Sequence, residues 1–378
     1  MKILLLILAC FLVSCSQSPK SSDKQETLQV DSALSLCGMK QIYMDTLDNP
    51  TSGHIRYYEN NGKACLIQSN NKLKMARAYD YFSGKKLGEM KTGRIDGELF
   101  AYNLDSVFLF VGGKGKSIIS VFRNNQVKEI KIPVKERIGH VEQHPKCRFD
   151  GGIYLNGKWY FPCFRLGEFP DKMKSGKDRF PLLELDVEKG KYRFIGAYPG
   201  IYAHNNMGST NYWYPNICRG HNMKEVVVGF DASPQLLVYS PITGESRFES
   251  VKSVYADTIP LPLTEKGRDY FSESESSYYY AQYAHYGAIS YDPWRNIYYR
   301  FVGIGLNDWS LEPSILLPNR KKWSVMVFDE SFRKLGEQYL GDKYNVPYHF
   351  VSPDGLYILN KDGDENVANY SLFKYIGR

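Results

Sequence analysis

One unit recurs from residue 55 to the C-terminus: a short run of aromatic and β-branched residues, a tight turn, then a second such run. Asn61-Gly62 in YYENNGKACLI, Asn156-Gly157 in GIYLNGKWYFP and Asp354-Gly355 in FVSPDGLYIL mark its turns, since these dipeptides supply the positive φ angles of hairpins. A second hairpin pattern follows, with an apolar strand, a polar turn and a strand bearing Phe, Leu or Ile. It is seen in ARAYDYFSGKKLGEM (76–90), SVFRNNQVKEIKI (120–132), LLELDVEKGKYRFIG (182–196), LLVYSPITGESRFESV (236–251) and VMVFDESFRKLGEQY (325–339). Pairing first hairpins with second ones gives six four-stranded units, at roughly 55–86, 97–132, 147–196, 210–251, 286–339 and 347–376. No stretch after residue 27 keeps apolar residues at helical spacing for three turns, so the body is expected to be all-β.

A lone four-stranded sheet that is apolar on both faces stays unstable until neighbours cover it. A repeat of this length is therefore the mark of a β-propeller, here with six blades. A pair of β-sandwiches or a propeller of seven or eight blades are the competing arrangements. The chain has 378 residues, enough for two ordinary domains, but the repeat favours a single propeller over 27–378. Its 30 Tyr and 20 Phe fit the pleated, half-buried surfaces between such sheets. The segment Thr27 to Met39 is positioned to supply a closing strand beside the last blade. Long insertions at 165–180, 252–283 and 306–322 read as loops on the propeller's faces, where partners bind.

The N-terminus sets the address. Ile3 to Val13 is an unbroken apolar run of eleven residues, about half the length of a helix that crosses a bilayer. It reads as the core of a signal peptide spanning 1–14. Leu12-Val13-Ser14-Cys15 matches the lipobox, in which small residues admit cleavage before a cysteine that is then acylated. Cys15 is the expected lipidation site and the membrane the expected partner. Residues 15–26, rich in Ser, Lys and Gln, form a tether with no apolar residue to join a core. The remaining cysteines, Cys37, Cys65, Cys147, Cys163 and Cys218, are odd in number and irregularly spaced. That argues against a disulfide framework or zinc knuckle, although one pair such as Cys147 with Cys163 could be oxidised. The net charge of +7 is small and scattered, which excludes a dedicated nucleic-acid binder.

The lipobox, YDPWRNIYYRF (291–301) and SPDGLYIL (352–359) together resemble a domain-of-unknown-function family of propeller-like lipoproteins of Bacteroidota. The resemblance covers nearly the whole mature chain. It implies a six-bladed propeller on a lipid anchor, and Ser16, where an Asp would retain the protein in the inner membrane, implies the outer membrane. The side it faces stays open, and no catalytic residue carries over, because the shared motifs are turns and strands.

Chemistry-bearing motifs are few. Gly-Lys-Ser at 115–117 lacks the first glycine of a phosphate loop, and strands flank it on both sides. Neither a G-x-S-x-G elbow nor an H-E-x-x-H pair occurs. Asn360, Asp362 and Asp364 alternate as in a calcium loop, but Glu365 stands where the turn glycine belongs. Five of the seven histidines, His54, His144, His204, His285 and His349, precede or open a first strand. First strands line a propeller's channel, so these imidazoles, with Arg148 and Asn205, are the candidate ligand-binding set. Their targets would be an anion or a divalent metal; no cofactor is called for. Exposed aromatics at Tyr212, Trp213, Tyr214, Tyr278 to Tyr280 and Trp309 form a second candidate, for a glycan partner, unless packing between blades uses them. The expected function is a ligand- or protein-binding module. The alternative is a lyase or glycan hydrolase with its active site in the channel, recognisable by two carboxylates, or a His and a Tyr, facing each other there.

Overall fold

The computed structural model describes residues 33–44, 51–113, 116–123, 126–133, 142–145, 151–166, 180–202, 209–257, 259, 273–312, 317–363 and 366–377. Their strands form six antiparallel sheets in chain order, arranged as a six-bladed β-propeller. Blade 1 occupies 55–91, blade 2 98–133, blade 3 142–195, blade 4 215–250, blade 5 285–341 and blade 6 344–375. These limits lie close to those expected from the hairpin repeat. The expected signal peptide, Cys15, the expected tether and the start of the expected closing segment lie outside the described residues.

Blade 4 shows why the pattern folds this way. Its first two strands, Pro215–Arg219 and Val226–Phe230, are buried almost throughout, whereas its last, Ser246–Ser250, is mostly exposed. Near the axis both faces of a blade touch neighbours, and towards the rim the blades diverge. The rim strands accordingly carry charge, as in Lys86–Lys91 (KLGEMK), which also discourages edge-to-edge pairing. There is no single central core. Six apolar clusters occur among the described residues, one in each wedge between adjacent blades. Tyr79, Tyr160, Tyr239, Tyr286, Tyr298, Tyr299 and Tyr370 are among their fully buried side chains, so packing between sheets takes up much of the aromatic content.

Closure comes from the two ends of the chain. Leu34–Tyr43 adds to blade 6 as its outermost strand, antiparallel to Val367–Tyr375, with Leu34 opposite Tyr375 and Tyr43 opposite Val367. The described closing strand shares 34–39 with the expected segment Thr27 to Met39 and runs on to Tyr43. Its buried Leu34 and Ile42 are what fix the register.

The turns follow the dipeptides with one exception. Asn61 and Asn156 have φ of 49° and 51° ahead of Gly62 and Gly157 at 75° and 76°. In blade 6 Pro353 and Asp354 form the turn instead, and Gly355 starts the return strand at φ 145°, where a Cβ would fall 2.4 Å from the Phe373 carbonyl oxygen. Among the described residues one α-helix departs from the all-β expectation: Glu273–Gln282, inside the 252–283 insertion. It has no apolar stripe, which is why periodicity missed it. Tyr279 and Tyr280 anchor it to the wedge between blades 3 and 4.

Candidate functional site

In an antiparallel blade the first-to-second strand connections all emerge at one end of the propeller, and the second-to-third connections emerge at the other. A cavity of about 560 Å³ lies on the axis, walled by the first strands of all six blades. Glu59, Asn103, Met223, Pro293 and Trp294 line it, and they belong to the hairpin end, so this is where its mouth is.

Three polar side chains dominate the wall. Arg56 from blade 1 lies over the ring of Tyr102 from blade 2, with the guanidinium carbon 4.2 Å from the ring centroid. Arg219 reaches across from blade 4, and its Nη2 donates to the Tyr102 hydroxyl at 2.5 Å and towards the Tyr154 carbonyl at 3.4 Å. Its guanidinium carbon is 5.7 Å from the same ring centroid. Burial pulls the Arg56 pKa down to about 10; Tyr102 opposes that shift and the Arg219 charge adds to it, so Arg56 remains a cation at neutral pH. Among the described residues neither guanidinium pairs with a carboxylate. Two guanidinium groups therefore share one phenol ring in a half-buried space, where counter-charge is strongly favoured.

On the wall formed by blades 5 and 6, His349 Nδ1 lies 2.9 Å from the Val346 carbonyl oxygen, and its Nε2 lies 2.9 Å from Ser290 Oγ. The carbonyl can only accept, so Nδ1 carries the proton and the serine hydroxyl donates to Nε2. Burial lowers the His349 pKa to about 4, keeping the ring neutral. Ile55, Ile153, Ile217, Ile289, Phe350 and Val351 complete an otherwise apolar lining. Tyr57 and Trp294 stand at the mouth, edge to face with centroids 5.5 Å apart.

Of the named histidines whose side chains are described, His54, His285 and His349, the last lines this cavity. His54 ends the approach to blade 1, outside the lining, and its carbonyl accepts from the Ser69 amide. His285 opens blade 5 as expected, but at the end away from the mouth, packed 4.3 Å from the Tyr280 ring and facing Gly303. Its Nδ1 takes one hydrogen bond from Lys321 Nζ at 2.8 Å, and the Tyr280 and Tyr283 carbonyls take two more at 2.6 Å each. Burial drives the Lys321 pKa well below its ordinary value, with Asp231 opposing. Together these contacts make His285 part of the staple that holds the helix to blade 5. His144 lies in the strand Glu142–Pro145, opposite Phe164. Arg148, His204, Asn205 and Cys147 lie outside the described residues.

The aromatic candidates divide. Tyr212 and Trp213 are buried between blades 3 and 4, and Tyr279 and Tyr280 hold the helix, whereas Trp309 stays exposed at 54%. Among the described residues no group of three or more His, Cys, Asp or Glu is placed to hold a metal ion. Among the cavity's described lining Glu59 is the one carboxylate, so a glycosidase-like carboxylate pair is not found there. Sequence reasoning passed over Arg56, Tyr102 and Arg219. The signal was a lone cation within each of two apolar first strands, Ile55-Arg56-Tyr57 and Ile217-Cys218-Arg219.

Fold and cavity define a six-bladed propeller with an arginine-lined axial pocket. The family model described as "Domain of unknown function (DUF4221)" matches residues 97–339, and the chain belongs to that family. A crystal structure of a DUF4221 member from Bacteroides vulgatus is similar at a TM-score of 0.73 and 19% identity, covering 91% of this chain and 98% of that one. A putative exported protein from Bacteroides fragilis is more distant, at a TM-score of 0.49 and 10% identity, covering 91% of this chain and 96% of that one. No curated protein matches the chain.

Proposed function

We propose that this protein is an outer-membrane lipoprotein, anchored through acylated Cys15, whose propeller is a binding module for a small organic anion at the mouth of the axial cavity. The observation that carries the binding reading is the Arg56–Tyr102–Arg219 cluster: two cations, no carboxylate partner among the described residues, and a planar hydrogen-bonding fork suited to a carboxylate, phosphate or sulfate. The cavity falls within the range of volumes that hold a drug-sized molecule, and its walls are mainly apolar. Calorimetric titration with glucuronate, phosphate and sulfate tests it. Arg219→Gln and Arg56→Gln should each weaken binding about 10- to 100-fold, the value of a charge-assisted hydrogen bond. Binding should also fall with added salt. Saturable binding that neither substitution changes would overturn the reading. For the anchor, wild type grown with a labelled fatty acid should carry label and partition into detergent, and Cys15→Ser should do neither.

One observation favours a second reading, hydrolysis in the channel. Ser290 and His349 have the spacing of a nucleophile and its base, with the Val346 carbonyl orienting the imidazole. The low His349 pKa makes it a weak base, which ranks this reading second. Turnover of a chromogenic ester that is abolished in Ser290→Ala would reverse the ranking.

A further inference from the structure

The cavity does not end at its mouth. Trp294, 43% exposed, meets Tyr57 edge to face; Tyr57 meets Tyr81 at 5.1 Å between centroids, and Tyr81 meets Phe82 at 5.2 Å. Phe82 is 80% exposed. Four rings from blades 5 and 1 thus form a continuous ladder from the anion cluster out onto the hairpin face. Successive rings stand nearly perpendicular, at 79°, 87° and 78°. Tyr81 is the buried rung, with Lys40 Nζ 4.0 Å from its ring centroid, so the rings open to a ligand are Trp294, the half-buried Tyr57 and Phe82. Each tyrosine of the ladder is tied to a carboxylate at its flank. The Tyr57 hydroxyl donates to Glu59 Oε1 at 3.1 Å, and the Tyr81 hydroxyl donates to Asp354 Oδ2 at 2.6 Å. Both carboxylates belong to exposed residues, with oxygens left over to accept from hydroxyl groups.

A purely apolar ligand would leave those carboxylates unused, and a polyanionic chain would be repelled by them. The combination suits a neutral, hydroxyl-rich molecule with flat C–H faces, ending in one acidic group. Resting on the anion reading above, we propose that the ligand is an oligosaccharide with a single acidic terminal residue. Its acid group is held by Arg56 and Arg219, and its next sugars lie along Trp294, Tyr57 and Phe82.

The test is calorimetric titration of the folded protein with three sets of probes. These are oligosaccharides capped by glucuronate, galacturonate or a sulfate ester, their uncapped neutral counterparts, and the free acids alone. At least one capped oligosaccharide should bind tenfold or more tighter than its free acid. Phe82→Ala should shrink that gain and leave the free acid's affinity unchanged, Trp294→Ala should lower the capped sugar's affinity more than the free acid's, and Arg219→Gln should weaken both. Phe82 is a surface residue, so its variant serves even if Trp294→Ala perturbs the mouth. If the free acids bind and no capped sugar binds tighter, the saccharide inference fails and the anion site stands. If no acid binds, capped or free, both readings fail. A short acidic peptide that outcompetes every capped sugar would replace the inference with a peptide ligand.

Discussion

Lowering the pH from 7.5 to 4 should cost this propeller stability through one imidazole. His349 is 8% exposed, donates from Nδ1 to a backbone carbonyl and accepts from Ser290, an arrangement that only the neutral ring satisfies. Burial holds its pKa at about 4, against 6.5 for a free histidine. Between those values the unfolded chain binds a proton that the folded chain refuses, so stability rises with pH. The contribution is complete above pH 6.5 and lost by pH 4. At 1.36 kcal/mol per pKa unit, the gap amounts to about 3 kcal/mol. Urea denaturation followed by tryptophan fluorescence at half-unit pH intervals measures it. Carboxylates titrate over part of the same range, so the informative quantity is the difference between wild type and His349→Gln. The variant loses a hydrogen bond and should be roughly 1 kcal/mol less stable at pH 7.5. Its deficit should shrink and then reverse as the pH falls. Parallel curves for the two proteins would refute the reasoning, because they would mean that the ring is protonated in both folded and unfolded states or in neither.

Glu184 offers a test in the opposite class of group. Burial would raise its pKa, but Arg193, Lys158 and Tyr160, all within 2.9 Å, overrule that and hold it below its ordinary value. Its contribution should therefore be full above about pH 4.5 and disappear as the pH falls through the lowered folded value, and Glu184→Gln should cost roughly 2 kcal/mol at neutral pH by denaturant midpoint. Gly303→Ala would set a Cβ 2.1 Å from His285 Cε1, against a ring held by Lys321, and should destabilise by about 3 kcal/mol. Gly38→Ala, with nothing within 4 Å, should change little. A chain beginning at Met44 loses the strand that closes blade 6 and should melt well below one beginning at Asp31, as circular dichroism would show; equal melting temperatures would contradict closure by Leu34–Tyr43.

The fold was largely legible because its information is local. Asn61-Gly62 and Asn156-Gly157 determine hairpins wherever they stand, and alternation of apolar residues determines which strands need cover on both sides. The candidate site was legible only in part. Reading first strands as channel walls placed His349 on the cavity wall, where the structure has it. His285 has the same sequence context, but it sits at the far end of its strand, where Gly303 leaves room for the ring against the core. Helix Glu273–Gln282 went unread because tertiary contacts through Tyr279 and Tyr280, instead of an apolar stripe, hold it in place.

Sequence alone determined the repeating four-stranded unit and its count, the all-β class, and the reason for so many tyrosines. Each of these depends on residues a few positions apart, where backbone sterics and side-chain alternation act. Tertiary structure decided what meets at the axis. Arg56, Tyr102 and Arg219 come from three blades, and Arg219 is 117 positions from Tyr102 in the chain, a separation that no pattern along the sequence encodes. They converge because six wedge-shaped cores close a ring and turn the first strands inward. The same closure that buries the tyrosines between blades is what brings two cations, without a carboxylate partner among the described residues, into one pocket.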